Sequence, residues 1–242
     1  MGGKRLLAML IVLLIVLPLP MTAYANSAEP PGIIILVSGG PEDLRLTLEF
    51  PDPQMETHRT YQIRKAWERR YQFYYHVDMA SLEAAVLRVE SGDKCFTCPM
   101  PAGVGTGYKN ILTLDYYAET LTLGQSPWRQ PLLTAMRIIL TLAVEGFVFW
   151  LFRYQQKRSW IVFLAMNLLT QGWLNIVVNS YAFAGGYWVI MFGLMEFCIF
   201  AVEMIALPFL LEEKSGLSVL YALVANALSL LAGIFLLGQL PL

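Results

Sequence analysis

The hydrophobic pattern of the chain changes character near residue 128. Beyond that point come four long apolar runs, at about 132–152, 160–181, 187–211 and 217–238, each near the roughly 20 residues that a membrane-crossing helix needs. Before it the apolar positions come in short bursts: "GIIILVS", "LRLTLEF", "RRYQFYYHV", "AAVLRVES" and "NILTLDYYAETLTLGQ". In the second of these Leu44, Leu46, Leu48 and Phe50 alternate with polar residues and share one face of a strand. Turn-forming clusters, "SGGPED", "FPDPQ", "SGDK" and "PAGVGTG", separate the bursts. The pattern predicts a small, mostly antiparallel, sandwich-like β-domain over residues 26–128, followed by a four-helix transmembrane domain over 129–242. The stretch Tyr61 to Tyr75 fits either strand or helix.

The first residues have a separate logic. Lys4 and Arg5 precede a short apolar core, Leu6 to Leu17, that Pro18 and Pro20 interrupt. Ala23-Tyr24-Ala25 then offers a small-x-small cleavage site before Asn26, which reads as a secretory signal peptide over 1–25, with an uncleaved anchor as the alternative. Either way the β-domain is expected outside the cytoplasm. The loops agree. "RYQQKRS" after the first apolar run carries Arg153, Lys157 and Arg158, "AFAGG" carries no charge, and "EEKSG" carries Lys214. An excess of Lys and Arg marks the cytoplasmic side, so the first loop is expected inside and the C-terminus outside.

Inside the apolar runs a few polar residues recur. "AVEGFVFWLF" from Ala143 overlays "AVEMIALPFL" from Ala201, and "NLLT" at Asn167 overlays "NALS" at Asn226. The sequence thus predicts two helical hairpins in parallel orientation, each with a Glu in its first helix and an Asn in its second. Glu145 and Asn167 each lie eight residues from the ends of the first loop, roughly 12 Å along a helix. Each Glu is expected level with the Asn of its own hairpin, whose amide can donate to it. The candidate intramembrane network is Arg137, Glu145, Asn167, Gln171, Asn175, Glu196, Glu203 and Asn226. Similar depth suggests an ion pair between Arg137 and Glu196. Pro208, one turn past Glu203, is expected to break the backbone ladder there. An ionisable group facing lipid near mid-membrane costs about 2.5–3.5 kcal/mol, so these side chains are expected to face inward.

Composition narrows the functional classes. The 242 residues are 57% hydrophobic and only 14% charged, where soluble domains carry about 25%, and this places the chain among membrane proteins. A net charge of −1 gives no field for nucleic acid. The bilayer is the expected environment, with a protein partner or a second copy as the expected company. "KCFTCP" holds Cys95 and Cys98 in a CxxC, and the β-domain also holds both histidines, His58 and His76. A short-loop disulfide or two loop thiols is the leading reading, ahead of zinc, whose familiar spacings are not matched, and of redox chemistry, which lacks its βαβ context. No metal site and no cofactor are therefore expected. "RKAWERRYQFYYH" mixes basic and aromatic residues, a pattern of a strand with one core face more often than of a ligand surface. "GVGTG" reads as a loop, not a phosphate cradle. The apolar runs contain no His or Asp and no Ser–His or Ser–Lys pair, so an enzyme is not expected.

The pattern "RIILTLAVEGFVFWLF…KRSWIVFLAMNLLTQGWLN…VE…NALSL" after "LTLDYY" resembles uncharacterised multi-pass membrane proteins of Gram-positive, clostridia-type bacteria. The resemblance covers the helices best and implies architecture, an exported domain on a multi-pass bundle, without implying an activity. The expected protein is a multi-pass cell-membrane component, an interaction, assembly or envelope-sensing protein. A proton- or cation-coupled transporter using Glu145 and Glu203 is the alternative.

Overall fold

The structure is a computed structural model and describes residues 31–52, 58–75, 79–180, 186–236 and 239–241. The signal-peptide segment, His76 and the loop before the third helix lie outside the described residues. The chain divides into two compact units, one of strands that ends at Arg129 and takes in residues 239–241, the other of helices from Gln130 onward.

The strand unit holds two sheets. One has the order β3-β4-β1-β7-β8, with β1 at Gly32–Ser38, β3 at His58–Lys65, β4 at Glu68–Tyr74, β7 at Lys109–Asp115 and β8 at Thr120–Leu123. The other has the order β2-β5-β6, with β2 at Arg45–Glu49, β5 at Val86–Ser91 and β6 at Lys94–Pro99. A short helix, α1 at Met79–Glu83, precedes β5. All pairings are antiparallel except β1 with β7. The parallel exception follows from order along the chain, because β1 and β7 are separated by five strands and not by a tight turn. β1 is the strand that does not alternate: Ile33 to Val37 are all buried, because it pairs on both edges and is covered on both faces. β2 alternates as its sequence predicts, with Leu46 and Leu48 buried and Arg45 and Thr47 exposed. Ile33, Ile35 and Val37 meet Leu46, Leu48, Leu87 and Val89 in one core, so the two sheets form the expected sandwich.

The ambiguous stretch is a β-hairpin. β3 and β4 pair down to Lys65 opposite Glu68, and the two-residue turn Ala66-Trp67 puts Ala66 at φ 39°. "GVGTG" is a loop wound around one side chain. Asn110 Oδ1 accepts from Gly105 N at 2.9 Å, and its Nδ2 donates to Gly107 O at 2.9 Å and to the Tyr75 hydroxyl at 3.0 Å.

The helical unit contains α2 at Arg129–Leu151, whose first residue belongs to the strand unit, α3 at Lys157–Ser180, α4 at Gly186–Leu210 and α5 at Ser218–Leu236. Among the described residues these four are long and apolar enough to cross a membrane. Their boundaries lie within a few residues of those expected from the hydrophobic runs. Pro208 does not end α4, which continues to Leu210, with Leu211 N donating to Leu207 O at 2.8 Å. Small residues let neighbouring backbones approach, as Ala206 on α4 and Ala222 and Ala225 on α5 share one buried cluster.

Candidate functional site

The polar residues of the apolar helices converge on the seams between those helices. Arg137, Glu145, Asn167, Gln171, Asn175, Glu203 and Asn226 are all buried, joined by Thr141 and Thr170, while Glu196 is half-buried. In an apolar helix such groups must find partners on neighbouring helices or on their own carbonyls, and the structure shows which choice each makes.

Glu203 is fully engaged. Its Oε2 accepts from Asn226 Nδ2 at 2.7 Å and its Oε1 from Thr170 Oγ1 at 3.1 Å, so one α4 carboxylate ties α5 and α3 together. Asn226 is the partner that the sequence predicts. Thr170 was not predicted, although it sits three residues after Asn167 on the same helical face. Asn226 Nδ2, with two hydrogens, also donates to Ala222 O at 3.0 Å, while the single hydroxyl hydrogen of Thr170 is shared between Glu203 Oε1 and Met166 O, the latter at 3.0 Å.

Glu145 is arranged differently. Asn167 of α3 and Ser229 of α5 lie within hydrogen-bonding reach of its carboxyl, and Glu203 and Glu196 of α4 act on it electrostatically. Yet Oε2 of Glu145 and Oδ1 of Asn167 are buried and have no hydrogen-bond partner among the described residues. Asn167 Nδ2 donates to Phe163 O at 3.2 Å, its own preceding turn. The two Glu–Asn pairs therefore differ in how far they are satisfied.

Among the described residues no ion pair of the kind the sequence suggested joins Arg137 to Glu196. Arg137 Nη1 donates to Asn175 Oδ1 at 3.0 Å and to Asn179 Oδ1 at 3.3 Å. Asn175 and Asn179 stand one turn apart on α3 and present two amide oxygens to the guanidinium, and Asn179 Nδ2 also reaches Thr134 Oγ1 at 3.1 Å. Glu196 has Glu203, one helix face along, as its electrostatic neighbour. Gln171 is buried and its carbonyl accepts from Asn175 Nδ2 at 2.8 Å.

The loop end of the helical unit carries a clasp that the sequence reading missed. Glu213 accepts from the Gln155 and Gln156 backbone N–H groups at 3.1 and 3.0 Å and from Ser159 Oγ at 3.2 Å, at the N-terminus of α3. Lys214 Nζ donates to Phe152 O at 2.9 Å and Arg153 O at 3.0 Å, just past the C-terminus of α2. An acid at a helix start and a base at a helix end each complement the helix dipole. The Gln156 N–H, with the Gln155 N–H and the Ser159 hydroxyl, holds the Glu213 carboxyl below its ordinary range, against an opposing desolvation effect. The signal in the sequence was "EEK", which charge counting reads only as topology. Beneath it, Phe149, Tyr154, Phe163 and Tyr221 pack ring on ring, Phe149 and Tyr154 stacking at 4.2 Å. Burial, with Glu213 nearby, pushes the Tyr154 phenol up to about 12.

In the strand unit the CxxC does not form a disulfide. Cys95 and Cys98 stand three residues apart on β6, so they point to opposite faces: Cys95 is exposed and Cys98 is buried, and both are free thiols. The same divergence separates them as ligands of one ion. Cys98 Sγ donates to Glu119 O at 3.4 Å, and burial raises its thiol above the ordinary range. His58 falls on β3, in the other sheet. A surface pocket of about 300 Å³ at the β3–β4 hairpin is lined by Gly39, Glu42, Arg64, Trp67 and Arg69. Its charges turn on one another and on the backbone, Arg64 on Glu42 at 2.8 Å and Arg69 on Gly39 O at 2.9 Å and on Pro41 O. Comparison of the chain with family models, with curated proteins and with solved structures finds no match.

Proposed function

We propose that the protein is a multi-pass cell-membrane component that works by interaction: an assembly or envelope-sensing protein whose strand unit lies outside the cytoplasm and whose helices form a locked bundle of two similarly oriented hairpins. The observation that carries this reading is the Glu203 carboxylate, which spends both oxygens on cross-linking three helices. A group used in that way holds a scaffold. Exposed Ile139, Ile176, Phe197 and Phe235, on α2, α3, α4 and α5 in turn, suit lipid contact. The signal-peptide pattern and the basic first loop support the orientation.

The test uses the full-length protein in native membranes, cross-linked with a membrane-impermeant amine reagent and mapped by mass spectrometry. The expected result is one recurring partner, or a second copy, linked through lysines of the strand unit. Recovery of an uncross-linked monomer at every reagent concentration would rule the interaction reading out. A second reading, proton- or cation-coupled transport, is favoured by the open Oε2 of Glu145. It requires a pH- or cation-driven flux in proteoliposomes that Glu145→Gln abolishes.

A further inference from the structure

Among the described residues, Glu145 Oε2 and Asn167 Oδ1 are two acceptors without a donor, on side chains that lie within reach of each other and on residues only 1% and 3% exposed. Buried acceptors left unpaired in an apolar setting are costly, and native structures seldom keep two together. A single hydrogen resolves both, because a protonated carboxyl is a donor as well as an acceptor. We propose that Glu145 is a proton-binding site: its carboxyl is held as the neutral acid, donating to Asn167 Oδ1, and the proton exchanges with solvent.

The surroundings fit a neutral acid. Among the described residues the titratable groups that act on Glu145 are Glu203 and Glu196 from α4 and Tyr221 from α5, none of them cationic at neutral pH, while α3 offers Asn167. The nearest cation along its own helix is Arg137, two turns away and bound to Asn175 and Asn179. Glu203 gives the internal contrast, since each of its oxygens lies against a hydrogen-bonding group of another helix, Thr170 of α3 and Asn226 of α5. The Ser229 hydroxyl also lies within reach of the Glu145 carboxyl. The site holds whether the protein transports or only assembles.

The test is infrared spectroscopy of the full-length protein in lipid at neutral pH. Wild type minus Glu145→Gln should contain a carboxylic-acid C=O band. Transfer to D2O should shift the acid band, and Asn167→Leu should move it to higher frequency by removing its hydrogen-bond acceptor. The Asn167→Leu shift assigns the band in an otherwise native Glu145 background, even if Glu145→Gln fails to fold. Carboxylate bands alone for Glu145 would overturn the proposal. An acid band that never shifts in D2O would overturn exchange, and an acid band that Asn167→Leu leaves in place would overturn the pairing.

Discussion

A buried carboxylate occurs in both units, and each unit treats it differently. In the strand unit Glu68 receives a full countercharge: Arg129 Nε and Nη2 reach its two oxygens at 2.7 and 2.8 Å, both side chains nearly inaccessible. The same guanidinium bonds Gln125 Oε1 at 3.0 Å and the Pro241 carbonyl. In the helical unit Glu203 faces an amide and a hydroxyl and no cation, and the buried Arg137 donates to amide oxygens. A two-pronged ion pair fixes two chain segments in one geometry but leaves a stranded charge if either half is lost. An amide or hydroxyl on an apolar helix always has a fallback, the carbonyl four residues back, so losing its partner strands less. The strand unit is therefore the more brittle of the two at its buried charge.

The sharpest way to break this comparison is to remove one half of the ion pair. Arg129→Met in the full-length protein should cost about 3–5 kcal/mol, read as a fall in the unfolding midpoint of the strand unit, because Glu68 is left buried and unpaired. Replacing both, Glu68→Met with Arg129→Met, should recover most of that loss. If the single change costs no more than the double, the pair is not the brittle element.

Glu203→Leu sharpens the other side. Thr170 and Asn226 keep their bonds to Met166 O and Ala222 O, so the expected loss is smaller, about 1–2 kcal/mol, in detergent unfolding of the helical unit. A loss as large as that of Arg129→Met would mean the helices depend on Glu203 as the strand unit depends on its ion pair.

The same contrast explains what could be read in advance. Period-two alternation located β2 and its buried face, and hydropathy located four helices, because burial acts on every residue of an element and leaves a repeated signal. The pairing of Asn226 with Glu203 was legible because depth along a helix is fixed by residue count. Rotation about the helix axis and the order of neighbours are not fixed by count. Arg137 and Glu196 share a depth, yet Arg137 faces α3, where two asparagines stand one turn apart. The Glu68–Arg129 pair spans 61 residues and depends on strand order, which no local pattern encodes. β1 hid its place for the opposite reason: buried on both faces, it carries no alternation from which to read a side.

Carboxylates nearer the surface give a third, weaker case in each unit. Asp43 accepts from Ser91 Oγ at 2.6 Å and Gly92 N at 2.7 Å, and Glu213 accepts from Gln156 N, and these bonds hold both carboxyls below their ordinary values of 3.8 and 4.5. A carboxyl with a depressed value binds its proton less readily folded than unfolded. Its contribution is therefore complete above the ordinary value and disappears as pH falls through the depressed one. Midpoints for both units should decline on acidification below about pH 4, and Asp43→Asn should flatten the decline in the strand unit while Glu213→Gln flattens it in the helical unit. An unchanged slope in either variant would show that its carboxyl plays no part.

The smallest effect concerns Cys95 and Cys98, where alternation alone decides chemistry. One strand presents the first thiol to solvent and turns the second into the core, where burial raises it above the ordinary thiol range and so leaves less of the reactive thiolate. A membrane-impermeant maleimide added to intact cells should modify Cys95, leave Cys98 unmodified until the protein is denatured, and lose its signal in Cys95→Ser. Reaction at Cys95 from outside would also place the strand unit on the outer side, with a cysteine introduced at the exposed Gln155 expected to stay protected until the membrane is opened. Equal modification of Cys95 and Cys98 in the native protein would mean that β6 does not hold its two faces apart. The sandwich core built on Leu87, Val89 and Cys98 would then be wrong at that edge.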